Sequence, residues 1–342
     1  DQATLLWTLA MAAANALVLI SAPVIGAIAD YSGTKKRFLF ISTAGCVLFT
    51  ALLSTIGPGD TYWAIVLVVL ATFMFASGEN LIAAFLPEIS DAETMGRLSG
   101  YGWALGYLGG LFTLALCLGY VTYAEQQGYD ATHYVQVSTL IVAALFGLAA
   151  LPTLLWLRER SSTQKTPITT QIIIAGFMRI RTTLRDTSAH TDLFRFLLAL
   201  TTYYAGIHIV IVLAAVYAQE VMGFKTQDMI VLIMVVNITA AIGAFFFGYL
   251  QDKFGSVRCI MITLLIWSAA IVCAYYATDS MLFWIAANLI GIALGGAQSA
   301  GRALVGKLTP LGRQGEFFGL WGLATKLSAI IGPITYGGMV YW

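Results

Sequence analysis

Ten long apolar runs, separated by polar breaks, set the pattern of this chain: about 5–28, 38–57, 62–86, 98–123, 133–157, 194–219, 228–251, 257–277, 282–306 and 316–341. Each is near or above the roughly 20 residues that a helix needs to cross a hydrocarbon core. Strands of a membrane barrel would alternate over about ten residues, and these runs are too long and too uniformly apolar for that. The pattern predicts an all-α membrane protein. One break, 158–193, is long and divides the runs five and five. This predicts one helical bundle over 1–157, a linker over 158–193 and a second bundle over 194–342. In the linker, Ile168, Ile172, Ile173, Phe177, Met178, Ile180 and Leu184 interleave with Arg179, Arg181 and Arg185. Such a basic amphipathic segment suits the cytoplasmic face of a bilayer.

Composition agrees with the pattern. Hydrophobic residues make up 59% of the chain and charged ones 10%, against about 25% charged in soluble domains. Cys46, Cys117, Cys259 and Cys273 lie in or beside apolar runs, so neither a disulfide framework nor a metal cluster is expected. No Walker loop, HExxH or GxSxG is present, and Gly295-Gly296 lacks the Lys-Ser/Thr of a phosphate loop. These absences argue against an enzyme or an ATP-driven pump, and no nucleic-acid patch is visible.

Charge adds sidedness. Sixteen of the eighteen basic residues fall in alternate connections or at their edges, and the opposite connections hold Lys225 alone. The basic side is therefore expected to be cytoplasmic, which leaves both ends of the chain as given on the other side.

Two of the basic connections echo each other. Gly26–Arg37 reads GAIADYSGTKKR and Gly248–Arg258 reads GYLQDKFGSVR. Gly26, Asp30, Gly33 and Lys36 map onto Gly248, Asp252, Gly255 and Arg258 at a constant offset of 222, with Arg37 closing the first copy. A parallel repeat of this kind is one way transporters are built. The two stretches resemble the loop signature of the major facilitator superfamily, which joins helices 2 and 3 and recurs between helices 8 and 9. The resemblance implies two pseudo-symmetric helical bundles and makes the ten runs helices 2–11 of twelve. It also implies that these residues, with Arg97, act as gating loops.

A narrower resemblance rests on Phe85–Gly110, FLPEISDAETMGRLSGYGWALGYLGG, supported by Glu316–Gly322, EFFGLWG, by Lys326 and by Gly332-Pro333. This block is similar to the "unknown major facilitator" branch, related to the autophagy-linked vacuolar amino-acid effluxers. The branch tends to carry an Asp between a Tyr and a Gly in the helix that here holds Tyr204, Ala205 and Gly206, so that carboxylate is absent.

Polar residues within the runs are the candidates for substrate or coupling work, because a charge at mid-membrane costs roughly 2.5–3.5 kcal/mol. Lys326 lies ten residues past Glu316, about 15 Å deep at 1.5 Å per residue. Gly319 and Gly322 leave room beside it, and Glu79 or a substrate anion is its expected partner. Glu79 and Asn80 form a polar step in an otherwise apolar run, where a carboxylate can exchange a proton during transport. His208 shares a stripe with Tyr204 and Thr201, and Asn237, Asn288 and Gln298 are further cavity candidates. Gly102, Gly106 and Gly110, and Gly332 with Pro333, have the spacing of close helix packing.

These readings converge on a secondary transporter that moves a small organic solute, an amino acid first among them, by alternating access. No cofactor is expected, proton coupling is open, and the protein is expected as a monomer in the bacterial cytoplasmic membrane. The alternatives are a permease for a larger amphiphile, such as a peptidoglycan fragment or lysolipid, and a non-transporting sensor or assembly factor.

Overall fold

The structure, a computed structural model, describes residues 2–160, 170–185, 190–277 and 280–341. Lys165 and Ile168, and the ends of the connections at 186–189 and 278–279, lie outside the described residues. Among the described residues, twelve α-helices follow in order: α1 (Gln2–Ser32), α2 (Lys35–Leu52), α3 (Thr61–Ala83), α4 (Leu86–Ile89), α5 (Met95–Gln126), α6 (Ala131–Trp156), α7 (Thr170–Arg185), α8 (Thr191–Glu220), α9 (Thr226–Phe254), α10 (Ser256–Tyr275), α11 (Ser280–Leu308) and α12 (Gln314–Tyr341). All but the four-residue α4 and the amphipathic α7 are long and apolar enough to cross a membrane, giving ten spans among the described residues. Leu148, Leu155, Trp156, Leu198 and Leu265 are among many large side chains left exposed on these spans. On a membrane helix that surface faces hydrocarbon.

The helices run past the apolar stretches that announce them. The signature at Gly26–Arg37, expected as a loop, is mostly helix: α1 continues to Ser32, and Gly33 and Thr34 alone connect it to α2. The second copy is tighter still, with Gly255 alone between α9 and α10. Gly33 at φ +61° and Gly255 at φ +88° take backbone conformations that other residues adopt at a cost. Elsewhere, breaks carry their own caps. The Asp130 carboxylate accepts from the His133 N–H at 3.0 Å at the start of α6. Before α5 the Asp91 carboxylate accepts from the Thr94 hydroxyl and N–H, and the hydroxyl bond above all holds this exposed acid below the usual carboxylate range.

Packing contacts group the chain into two compact units. The first comprises Asp1–Glu88, Thr113–Leu197 and Thr309–Leu327; the second comprises Ile89–Phe112, Leu198–Leu308 and Ser328–Trp342. In the first, Ala29, Leu39, Leu81 and Phe85 form a core against Ile25, Phe38, Leu154 and Leu157. α7 belongs to this unit and packs on α1, with Gly176 against Ile28.

In the second unit α9 and α11 pack backbone to backbone. A Cβ at Gly295 would lie 1.9 Å from the Ala240 carbonyl oxygen, and one at Gly243 would lie 2.2 Å from that of Ile292. Small residues thus set the closest helix approach, at glycines other than those expected from the sequence. Of the expected set, Gly332 does pack, with its Cβ position 2.5 Å from the Ala205 carbonyl oxygen, and Pro333 follows it inside α12. Gly106 and Gly110 face open space, and Gly102 makes room for the Arg302 guanidinium rather than for a helix. Periodic glycines mark a smooth face, and whether a helix fills it is decided elsewhere in the chain.

Candidate functional site

The two signature carboxylates do the same thing in their separate units. In the first, Asp30 accepts from the backbone N–H groups of Gly315 and Glu316, each at 2.9 Å. In the second, Asp252 accepts from those of Gly96 and Arg97, each at 2.8 Å. In both cases the donors are the second and third residues of a long helix, α12 or α5. Unpaired N–H groups and the positive end of the helix dipole make this a favoured place for a carboxylate. The signature glycines permit the approach: a Cβ on Gly26 would sit 1.9 Å from the Gly315 carbonyl oxygen, and one on Gly248 3.0 Å from the Gly100 Cα.

Basic groups complete each site, differently in the two copies. Asp252 has Arg97 at 3.4 Å and Lys307 at 3.9 Å, and the Arg97 guanidinium also lies over the Tyr249 ring. Asp30 has Lys35, whose ammonium is fully buried between Asp30 at 3.6 Å and Glu88. Glu88 also accepts from the Arg160 N–H at 2.8 Å. Glu159 accepts from the Lys35 N–H at 3.0 Å and so caps α2, and Lys36 donates to the Leu157 carbonyl at 2.6 Å. Arg37 and Arg258 are exposed.

The first unit has a further node at Glu316, fully buried at the start of α12. Its carboxylate takes Arg179 at 2.8 Å, Arg313 at 2.7 and 3.0 Å, and the Thr183 hydroxyl at 2.5 Å. Arg313 also reaches Thr183 and, at 3.3 Å, His190. Arg179 and Thr183 are on α7, so one edge of the amphipathic helix is anchored on a buried carboxylate, while Arg181 and Arg185 are exposed. The reading of this segment as a helix lying on the bilayer surface omitted that anchor. Lys35, Glu88, Arg179, Thr183, Arg313 and Glu316 were not singled out as site residues. An acid in the first turn of α12 and a Glu in the Leu-Pro-Glu-Ile block were the available signals.

The interior polar residues fall into two groups. In the first unit Asn80 is buried against Gly322, where a Cβ would lie 2.3 Å from the amide nitrogen, and that nitrogen has no partner among the described residues. Glu79 precedes it, and Lys326 lies one turn beyond Gly322 on α12. Both are partly buried, and among the described residues neither has an ion pair, with the other or elsewhere. In the second unit Tyr204 packs its ring 6.3 Å from that of His208 and 5.1 Å from that of Tyr203. Gln298 accepts from the Tyr107 hydroxyl. Arg302 bonds the Ser99 hydroxyl and carbonyl and lies over the Trp103 ring at 5.3 Å. Asn237 and Asn288 instead turn back on their own helices, donating to the Ile233 and Trp284 carbonyls at 2.8 and 2.7 Å.

The family described as "vacuole effluxer Atg22 like" matches residues 3–340. A Bacillus subtilis (strain 168) protein described as an uncharacterized MFS-type transporter, YxiO, is 29% identical over 315 residues, covering 91% of this chain and 72% of that protein. Autophagy-related protein 22 of Eremothecium gossypii is 24% identical over 273 residues, covering 74% of this chain and 52% of that protein. The Yarrowia lipolytica protein of the same name is 25% identical over 298 residues, covering 78% and 49%. The chain thus spans about half the length of these fungal relatives. Among solved structures, the human organic anion transporter MFSD10 superposes with a TM-score of 0.71 at 16% identity, over 94% of this chain and 75% of that one. The proton:xylose symporter XylE, of the major facilitator superfamily, does so with 0.70 at 12% identity, over 98% and 79%.

Proposed function

Because the chain belongs to the Atg22-like family of membrane transporters and has the major facilitator fold, we propose that it is a secondary active transporter that moves a small organic solute, an amino acid first among the candidates. It acts by alternating access, as a monomer in a bacterial cytoplasmic membrane, without a cofactor and with protons as the coupling ion.

The observation that carries this reading is the polar step in the first unit. Lys326, in a span otherwise almost free of charge, stands one turn from the contact between Gly322 and Asn80, the residue that follows Glu79 in α3, and has no ion-pair partner among the described residues. An unpaired ammonium at that depth is costly in hydrocarbon, so it needs protein, water or a ligand. A carboxylate-bearing solute would supply the missing counter-charge, with the Asn80 amide as a second donor. Glu79, which precedes Asn80 in the same span, is the carboxylate assigned to the coupling step.

Uptake into proteoliposomes, from a panel of amino acids with and without a pH gradient, tests the proposal. At least one amino acid is expected to accumulate, and the gradient to drive it. Lys326→Met keeps the side-chain length and removes the charge, so it should fold normally and lose substrate binding. Absence of uptake across the panel overturns the substrate class, and normal transport by Lys326→Met overturns the assigned role of that residue. Movement of a lysolipid instead would favour the amphiphile permease.

A further inference from the structure

The second unit contains a cavity that takes no part in the polar step above. It has a volume of about 550 Å³ and lies among α8, α9, α10 and α11, lined by Val236, Ile271, Ala286, Ala287, Ile290 and Leu294 among others. Among the described residues, no charged side chain lines it. Of its polar residues, Asn237 donates to the Ile233 carbonyl and Tyr217 to that of Ala277, while Tyr275 points outward and is largely exposed. At one end stands an aromatic cluster in which Phe283 packs on Tyr217 and Phe224, with ring centroids 5.8 and 5.4 Å apart. Val210, Ile290 and Leu294 line the cavity and also pack against the buried group of Ile207, Trp267 and Ala293. Ile211, Ile233 and Ile271 line it as well and are exposed, so it opens on the apolar surface of the spans.

Three occupants compete for such a space. Vacuum is disfavoured, because interiors are close-packed and a lining without partners forfeits its dispersion contacts. Water is disfavoured, because it needs two to four polar partners and the wall offers almost none. Hydrocarbon needs only contact, and the volume lies in the range of about 300–1,000 Å³ usual for ligand sites. The medium against the exposed edge of a span is itself lipid chain. We infer that this cavity is a binding site for one acyl chain of a surrounding phospholipid, inserted between α9 and α10 with its headgroup left outside. The gain comes from dispersion contacts rather than from the hydrophobic effect, since the chain leaves hydrocarbon and not water. The bound chain is therefore shape-selected, and it packs against all four helices that line the cavity.

The test places the full chain in nanodiscs of phosphatidylcholine that carries a diazirine midway along one acyl chain, followed by illumination and mapping of the adducts. Adducts are expected on Ala286, Ala287 and Ile290, inside the cavity, as well as on Leu265, which is exposed on α10 outside it. Ala274→Leu with Ala286→Leu fills the space, and should abolish the interior adducts, leave Leu265 labelled and keep or raise the thermal stability. A second arm needs no variant: phosphatidylcholine with the diazirine in its headgroup should label none of the interior positions. Wild-type protein without interior adducts, interior adducts that persist in the filled protein, or interior labelling by the headgroup probe would each overturn the assignment.

Discussion

Arg179→Met combined with Arg313→Met is expected to destabilise the protein by about 3–5 kcal/mol, the range for a buried charge left without its partner. Glu316 is fully buried, whereas the two guanidinium side chains that meet it are about a quarter exposed, at 24% and 25%. The asymmetry matters. With both arginines gone, the Thr183 hydroxyl is the one side-chain partner left to the buried carboxylate among the described residues. With Glu316→Gln alone, the arginines can rehydrate, so the loss should be clearly smaller. Adding Glu316→Gln to the double arginine variant should then recover much of the stability, because no charge remains buried. Unfolding in detergent, followed by circular dichroism, measures all three. A double variant as stable as wild type, or one that the third substitution does not rescue, would refute this role for the node.

The same node explains why the central connection holds a helix at all. An isolated 16-residue helix is marginal in water, and α7 leaves Phe177, Met178 and Leu184 exposed. What fixes it is tertiary: Ile180 and Thr183 are buried, Gly176 lies on Ile28, and Arg179 reaches both Glu316 and the Gly312 carbonyl. The exposed apolar residues remain available to the bilayer surface, so an anchor on protein and a contact with lipid are compatible roles for one helix.

Span number and placement were legible in the sequence, because a run of some twenty apolar residues matches the length of helix that crosses a hydrocarbon core. The repeat was legible too, and with it the carboxylates Asp30 and Asp252, since identical residues at a constant offset do not depend on tertiary context. Partnership was much less so. Glu316 reads as an ordinary first-turn acid until α7 is folded over it. Gly102 reads as a packing residue until Arg302 is found beside it. Asn237 and Asn288 read as groups open to a ligand, yet a helix always offers the carbonyl four residues back, and both side chains donate to it, Asn237 while also lining the cavity of the second unit. Lys35 reads as one more basic residue of the connection, and nothing local announces that its ammonium is enclosed by two acids. The tight turns at Gly33 and Gly255 show the converse, since positive φ can be anticipated from glycine at the end of a helix.

Asp30→Asn and Asp252→Asn are each expected to shift the balance between transporter conformations about ten- to a hundredfold while leaving folding largely intact. Each carboxylate accepts two backbone N–H bonds at a helix N-terminus. Hydrogen bonds to a charged group contribute about 1.5–3 kcal/mol each, against about 0.5–1.5 for neutral ones. Asparagine keeps one acceptor oxygen and loses the charge, so the difference applies in whichever conformation makes the contact and not in one that breaks it. Only such a differential interaction can move a two-state equilibrium. The two copies should differ in their side effects. Without Asp30, Lys35 still has Glu88, and its ammonium stays paired; without Asp252, Arg97 and Lys307 are left partly exposed and free to meet water. Both changes should therefore be tolerated in folding, and both should act on the same equilibrium in the same direction. Single cysteines placed in turn near each end of the spans, and reacted with a membrane-impermeant reagent from either side, read that equilibrium directly. Accessibility unchanged at both ends in well-folded Asp30→Asn and Asp252→Asn proteins would mean that these contacts hold the helices together without biasing the cycle.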